Sequence, residues 1–284
     1  MSFTEQIILK GLLGNCEEKK RAALLRLMPD SLQAALKEIL FTPHLSPRDF
    51  SYEHLLNFVH YSWFLPTLKS YQEKERYLLI SALDADMAKA LLNLLKLQKE
   101  PVTITPKGRQ FLQQLLLTSL LNKNHALLPM KSLPHSPLNG LLKIARKDVM
   151  RVIDLLSVYD LASEMHQIIQ PKMIKAIYSI LSEDQKKFLK MNSTYKEPYS
   201  FMPLELKKLL SSPDRLKKVL HMRGLIRFGQ ALSIQGKDLI WYTLHYLDIG
   251  RAATLEKIMS KKPKQQVAER LVEQILDALE FLKG

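Results

Sequence analysis

The chain has 284 residues, 46% of them apolar and 25% charged, and a formal net charge of +14 with a pI near 9.6. Apolar residues recur in nearly every window, which excludes a disordered chain and leaves room for two or three domains or one helical array. A single cysteine, Cys16, excludes an intrachain disulfide and fits a reducing compartment.

The charge is uneven. Residues 1–100 carry 13 basic and 12 acidic side chains, residues 101–199 carry 14 and 7, and residues 200–284 carry 15 and 9. An electrostatic partner (nucleic acid, an anionic membrane surface or an acidic protein) is therefore expected on the C-terminal two-thirds. The start "MSFTEQIILKGLL" lacks a positive n-region and contains Glu5, which speaks against a signal peptide and for a cytoplasmic protein. The longest apolar run, "FLQQLLLTSLL", is too short and too polar to span the ~30 Å of a bilayer core.

Taken in order, the chain reads as helix throughout. Apolar residues recur at spacings of three and four, alternating strand patterns are missing, and nine glycines leave few tight hairpins. "PDSLQAALKEIL" carries a stripe at Leu32, Ala35, Leu36, Ile39 and Leu40. "DADMAKALLNLL" repeats it at Met87, Ala90, Leu91, Leu94 and Leu95, and "YDLASEMHQII" at Leu161, Glu164, Met165, Ile168 and Ile169. "KDLIWYTLHYLDIGRAATLEKIM" fits in part, through Leu255, Ile258 and Met259. Each copy follows an apolar segment and has an acid just before it: Asp30, Asp84 and Asp86, Asp160, and Asp248. Such an acid caps a helix start and suits its dipole, while the stripe buries against the preceding helix. The pattern fits either diverged duplicates or the stripe common to any amphipathic helix.

Other starts are marked as well. Thr105 precedes Pro106, Ser182 leads the capping box "SEDQ", and Ser212 precedes Pro213. Two proline-rich joints, "LPMKSLPHSP" from Leu128 and "NSTYKEPYSFMP" from Asn192, should stop helices. The expected division is a helical module over 1–100, a helix plus linker over 101–137, a middle module over 138–194 and a C-terminal module over 203–284. The expected fold class is all-α, with stacked helical pairs in an extended array.

No catalytic constellation emerges. "GQALSIQGKD" has a Gly-Lys pair, but its spacing is wrong for a phosphate loop, and Gly236 reads as a helix C-cap. "STYK", from Ser193 to Lys196, matches Ser-x-x-Lys inside a linker. His54 and His60 are six apart and cannot form the i, i+4 pair of a zinc helix, while His166 and His245 read as packing or surface residues. We expect no enzyme, no metal and no cofactor.

The basic residues are the candidates for binding. Lys217, Lys218, Arg223 and Arg227 sit on helices, and Lys261, Lys262 and Lys264 stand in a turn before the last one. "ARKDVMR" adds Arg146, Lys147 and Arg151. They form either a patch for phosphates or an acidic protein, or ordinary solvated faces. Trp241, Tyr242, Tyr246 and Trp63 lie in segments apolar on nearly all sides and read as core, not as platforms for bases.

"GKDLIWYTLHYLDIGRAATLEKIMSKKPKQQVAERL" resembles the C-terminal helical module of the flagellar rotor-switch protein FliG. An apolar helix ends at Leu-Asp, a helix with Ala and basic residues follows, and a "MS" turn leads to a long amphipathic helix. "RLMPDSLQAALKEIL" resembles the helix-Pro-acid-helix units of the same family. FliG's Glu-His-Pro-Gln motif, Gly-Gly hinge and Met-Phe-x-Phe turn are absent here, and its charged ridge has counterparts only in Asp248, Arg251 and Lys257. The resemblance thus implies a related adaptor, of the kind that SctK proteins provide in type III secretion, linking the membrane ring to SctQ/SctL pods and the ATPase. It implies a cytoplasmic location at the inner face of the bacterial inner membrane. On this reading Asp248, Arg251, Lys257, Lys261, Lys262 and Lys264 meet a protein partner. On the alternative, a nucleic-acid-binding helical-repeat protein, the basic C-terminal two-thirds holds phosphates.

Overall fold

The computed structural model describes residues 3–39, 52–98, 100–121, 127–166, 168, 170–194, 204, 206–209 and 212–283. The protein is all-α: among the described residues there are sixteen α-helices and no strand. They fall into two compact units, Met1–Pro134 and His135–Gly284, divided inside the joint that begins at Leu128. Residues 195–203 of the second joint, and with them Lys196 of "STYK", lie outside the described residues.

The first unit holds α1 (Phe3–Gly14), α2 (Glu18–Arg26), α3 (Asp30–Glu38), α4 (Tyr52–Phe58), α5 (Leu65–Ser70), α6 (Glu73–Ile80), α7 (Ala85–Leu95) and α8 (Pro106–Leu120). Ile7 and Leu13 of α1 meet Leu36 and Ile39 at α3, and Leu128 of the proline-rich joint closes this small core. A second set, Leu56, Val59, Phe64, Leu68, Leu116 and Leu117, is buried where α4 packs on α8. The turn after α6 is held by hydrogen bonds: the Val102 N–H donates to Ser81 Oγ at 2.7 Å, and the Gln113 amide to the Ala82 carbonyl at 3.0 Å.

The second unit contains α9 (Arg146–Met165), α10 (Pro171–Ile180), α11 (Glu183–Met191), α12 (Leu206–Leu209), α13 (Pro213–Leu232), α14 (Lys237–Tyr246), α15 (Ile249–Met259) and α16 (Gln265–Phe281). Its contacts converge on the two 20-residue helices α9 and α13, with α16 against both, α11 on α9 and α15 on α13. Residues 138–194 and 203–284, expected as separate modules, thus share one core.

Glycine sets the closest approach. A Cβ at Gly224 of α13 would lie 1.9 Å from the carbonyl oxygen of Ile153 in α9, so only glycine lets the two backbones touch there. Around that crossing Ile153, Leu156, Leu220, Phe228, Leu232 and Ile275 are fully buried or nearly so. Burial of each such side chain stabilises the fold by roughly 1.5–3 kcal/mol.

Most helix starts follow the expected chemistry. Ser182 and Gln185 form the reciprocal capping box, at 3.2 and 3.0 Å. Thr105 Oγ1 accepts from the Gly108 N–H at 3.2 Å, and Asp84 Oδ1 from the Met87 N–H at 2.8 Å. Asp30 is the first residue of α3, behind Pro29 at the cap position. Ser212 holds the cap position of α13, but its side chain makes no cap bond.

Two expectations are corrected. Gly236 does not cap a C-terminus: its φ is −64°, and it opens α14. Asp160 starts no helix either. It lies inside the continuous α9 and is buried, because a basic partner waits on α13.

Candidate functional site

The stretch from Lys237 to Phe281 forms a capped helical hairpin and its continuation. Helix α14 ends at Tyr246, the Leu247 that follows it is buried, and Asp248 turns the chain into α15, its carboxylate accepting from the Arg251 N–H at 3.1 Å. The Arg251 guanidinium folds back onto the same carboxylate as an ion pair. Its Nε also donates to His221 Nε2 at 3.4 Å, and His221 Nδ1 lies 2.7 Å from Asp154 Oδ1. Because Nε2 accepts, the ring proton sits on Nδ1 and is donated to Asp154. One relay, Asp154–His221–Arg251–Asp248, thereby ties α9, α13 and α15.

The far side of α15 follows from its near side. Ala252 and Leu255 are buried on α13, where a Cβ on Gly229 would come within 2.9 Å of Ile258 Cγ2. Ala253, Glu256 and Lys257 are exposed on the opposite face. Lys257 sits in the last turn, where a cation suits the helix dipole. Lys261, Lys262 and Lys264 are all exposed in the turn that leads to α16. With a rise of ~1.5 Å per residue, Arg251 and this turn lie near opposite ends of a helix about 16 Å long. The candidate partner-binding residues therefore run along one helix instead of meeting at a point.

The second candidate group divides. Lys217 and Lys218 are exposed on α13, and Arg223 is half-buried. Arg227 is not part of any surface patch, being 1% exposed. Its Nη2 and Nε donate to the two carboxylate oxygens of Asp160 at 2.7 and 3.3 Å, and its Nη1 to Gln274 Oε1 at 2.7 Å. Tyr159, whose ring lies 5.8 Å below the guanidinium, donates its hydroxyl to Asp277 at 3.0 Å. The sequence carries a cue for this burial. Arg227 stands in "GLIRFGQAL", among apolar and small residues on nearly every side. The partner, 67 residues away, leaves no local mark.

The "ARKDVMR" cations are also largely engaged. Arg146 donates from Nε to the Tyr246 carbonyl at 2.7 Å and lies 4.8 Å over the Tyr246 ring. Arg151 bridges Asp148 at 2.9 Å and Asp184 at 2.8 Å, and Lys147 is exposed. The aromatic residues of α14 serve packing. Tyr242 is fully buried, with its phenol pushed up by desolvation, and the Tyr246 hydroxyl donates to the Ile144 carbonyl at 2.9 Å. Trp241 stacks on His245 at 3.9 Å, and burial lowers the His245 imidazole to about 4.

Among the described residues no group of three metal-ligating side chains converges. No helix among them is long and apolar enough to cross a membrane. Comparison with protein-family models, with curated proteins and with solved structures finds no significant match to this chain.

Proposed function

We propose that this chain is a non-enzymatic adaptor of a type III secretion or flagellar-like apparatus, working in the cytoplasm at the inner face of the bacterial inner membrane. It would dock membrane-ring and SctQ/SctL-like pod proteins through the free face of α15 and the turn after it. The observation that supports this reading is the order of α14, α15 and α16. An apolar helix stops at Leu247–Asp248, a capped helix presents Arg251 and Lys257, and an exposed lysine turn leads to a 17-residue amphipathic helix. This helix order is the one on which the resemblance to FliG rests. Apolar contact would give affinity, and the exposed lysines would steer an acidic partner.

The test is affinity purification of the tagged full chain from its native cells, with nuclease present, followed by mass spectrometry. Ring and pod proteins are expected in the eluate, and Lys257→Glu with Lys261→Glu, both on exposed side chains, should deplete them at unchanged thermal stability of the bait. A second reading, nucleic-acid binding, is favoured by five exposed lysines at 217, 218, 261, 262 and 264. It requires binding that falls steeply with salt as counterions are released, and that charge reversal at those five lysines abolishes. Ribosomal or chromosomal proteins that vanish with nuclease would support this second reading against the first.

A further inference from the structure

Residues 1–100 carry 13 basic and 12 acidic side chains, yet their cations are not evenly spread. Helices α1, α2 and α3 enclose an open recess of about 210 Å3. Its apolar lining comes from Leu13, Leu25 and Leu36, of which Leu13 and Leu36 are buried in the small core. Its charged lining consists of Lys10, Arg21 and Lys37, with no carboxylate among the lining residues. Lys10 is spoken for, since its ammonium donates to the Ile39 carbonyl. The Gln33 amide likewise donates to the Met28 carbonyl at 2.9 Å. The Arg21 and Lys37 side chains have no hydrogen-bond or ion-pair partner among the described residues, although Glu17 and Glu18 lie within one helical turn of Arg21. An apolar floor thus sits beside two cations that are unpaired among the described residues.

Size and charge decide what such a recess accepts. Pockets that enclose a small molecule run to roughly 300–1,000 Å3, so this one is too small for a drug-sized ligand and suits one or two anchor side chains. An amphipathic helix supplies such anchors at spacings of three and four. Carboxylates flanking the anchor would be drawn to Arg21 and Lys37, whereas a basic helix would be repelled by all three cations. We propose that the α1–α2–α3 recess seats an apolar anchor of an acidic amphipathic helix from a protein partner. This surface lies in the first unit and stands independently of the adaptor reading placed on α15.

The experiment uses the full chain with methyl-labelled leucines and, as probe, a fluorescent peptide of about 20 residues with Leu on one helical face and Glu on the other. Saturable binding is expected, with shifts concentrated in the methyls of Leu13, Leu25 and Leu36. A Lys-for-Glu version of the peptide should bind at least tenfold more weakly. Arg21→Glu with Lys37→Glu should weaken the Glu peptide at least tenfold at unchanged helicity, and the neutral pair Arg21→Gln with Lys37→Gln should give an intermediate loss. The proposal is overturned if the Glu peptide does not saturate, if both peptides bind alike, or if the shifts fall elsewhere. It is equally overturned if anionic phosphatidylglycerol vesicles move those methyls and the Glu peptide does not.

Discussion

Arg227 of α13 and Asp160 of α9 form an ion pair at 2.7 Å whose side chains are 1% and 8% exposed, so the central helix pair of the second unit is joined by charge as well as by apolar packing. Two charges out of water are tolerable because the guanidinium is bidentate on the carboxylate and its remaining arm is met by Gln274.

Breaking this pair from one side should be severe. Asp160→Leu leaves a buried cation without its counter-charge and is expected to cost about 3–5 kcal/mol in urea unfolding. The double change Asp160→Leu with Arg227→Met replaces the pair by apolar groups and should recover most of that loss. A double variant as unstable as the single one would show that the pair is not what matters there.

Gly224 makes a prediction about backbone contact. Gly224→Ala sets a Cβ against the Ile153 carbonyl at 1.9 Å, which neither backbone can yield without parting the helices. The expected loss is at least ~1–3 kcal/mol, seen as a lower urea midpoint. Gly236→Ala, with nothing within 4 Å of its Cβ, should shift stability by less than about 0.5 kcal/mol.

Helix capping separates two serines that look alike in sequence. Ser182→Ala removes the side-chain half of a formed capping box and should cost about 1 kcal/mol. Ser212→Ala removes no cap bond and should be nearly silent. Differential scanning calorimetry of the two variants distinguishes them.

His245 gives the fold a pH dependence. Its imidazole titrates at about 4 in the folded chain, chiefly because it is desolvated, against a usual value of about 6.5. Once the pH drops below about 6.5, the unfolded chain takes up a proton that the folded one refuses until about pH 4. Stability from this group is therefore complete above pH 6.5, declines across that window and levels off beneath it. The loss is on the order of 3 kcal/mol. His245→Gln should remove that part of the decline, measured as the difference between variant and parent in urea midpoints at pH 7 and pH 4.5.

Much of this architecture could be read from sequence, and the exceptions share a cause. The helical class follows from spacing alone, and the caps at Asp84, Thr105, Ser182 and Asp248 are local events that a few residues specify. Asp160 has the same local signature as those acids, an apolar segment before it and an apolar stripe after it. Its fate is decided by Arg227, a partner 67 residues away. The same holds for Gly224, whose role depends on Ile153 across the crossing, and for His221, which joins Arg251 to Asp154. The α1–α2–α3 recess was invisible for a related reason. The whole-segment charge of the N-terminal third is nearly neutral, and only folding brings Lys10, Arg21 and Lys37 from three helices around one recess whose lining holds no acid.

Whether a protein partner meets α15 and the lysine turn can be read from lysine-directed cross-linking mass spectrometry of the full chain with a partner recovered from cells. The adaptor reading predicts cross-links at Lys257, Lys261, Lys262 or Lys264, with those at the last three lost when the exposed Lys257 is changed to Glu in a still-folded chain. A nuclease-resistant complex whose cross-links avoid all four lysines, and which survives Lys257→Glu intact, would contradict it.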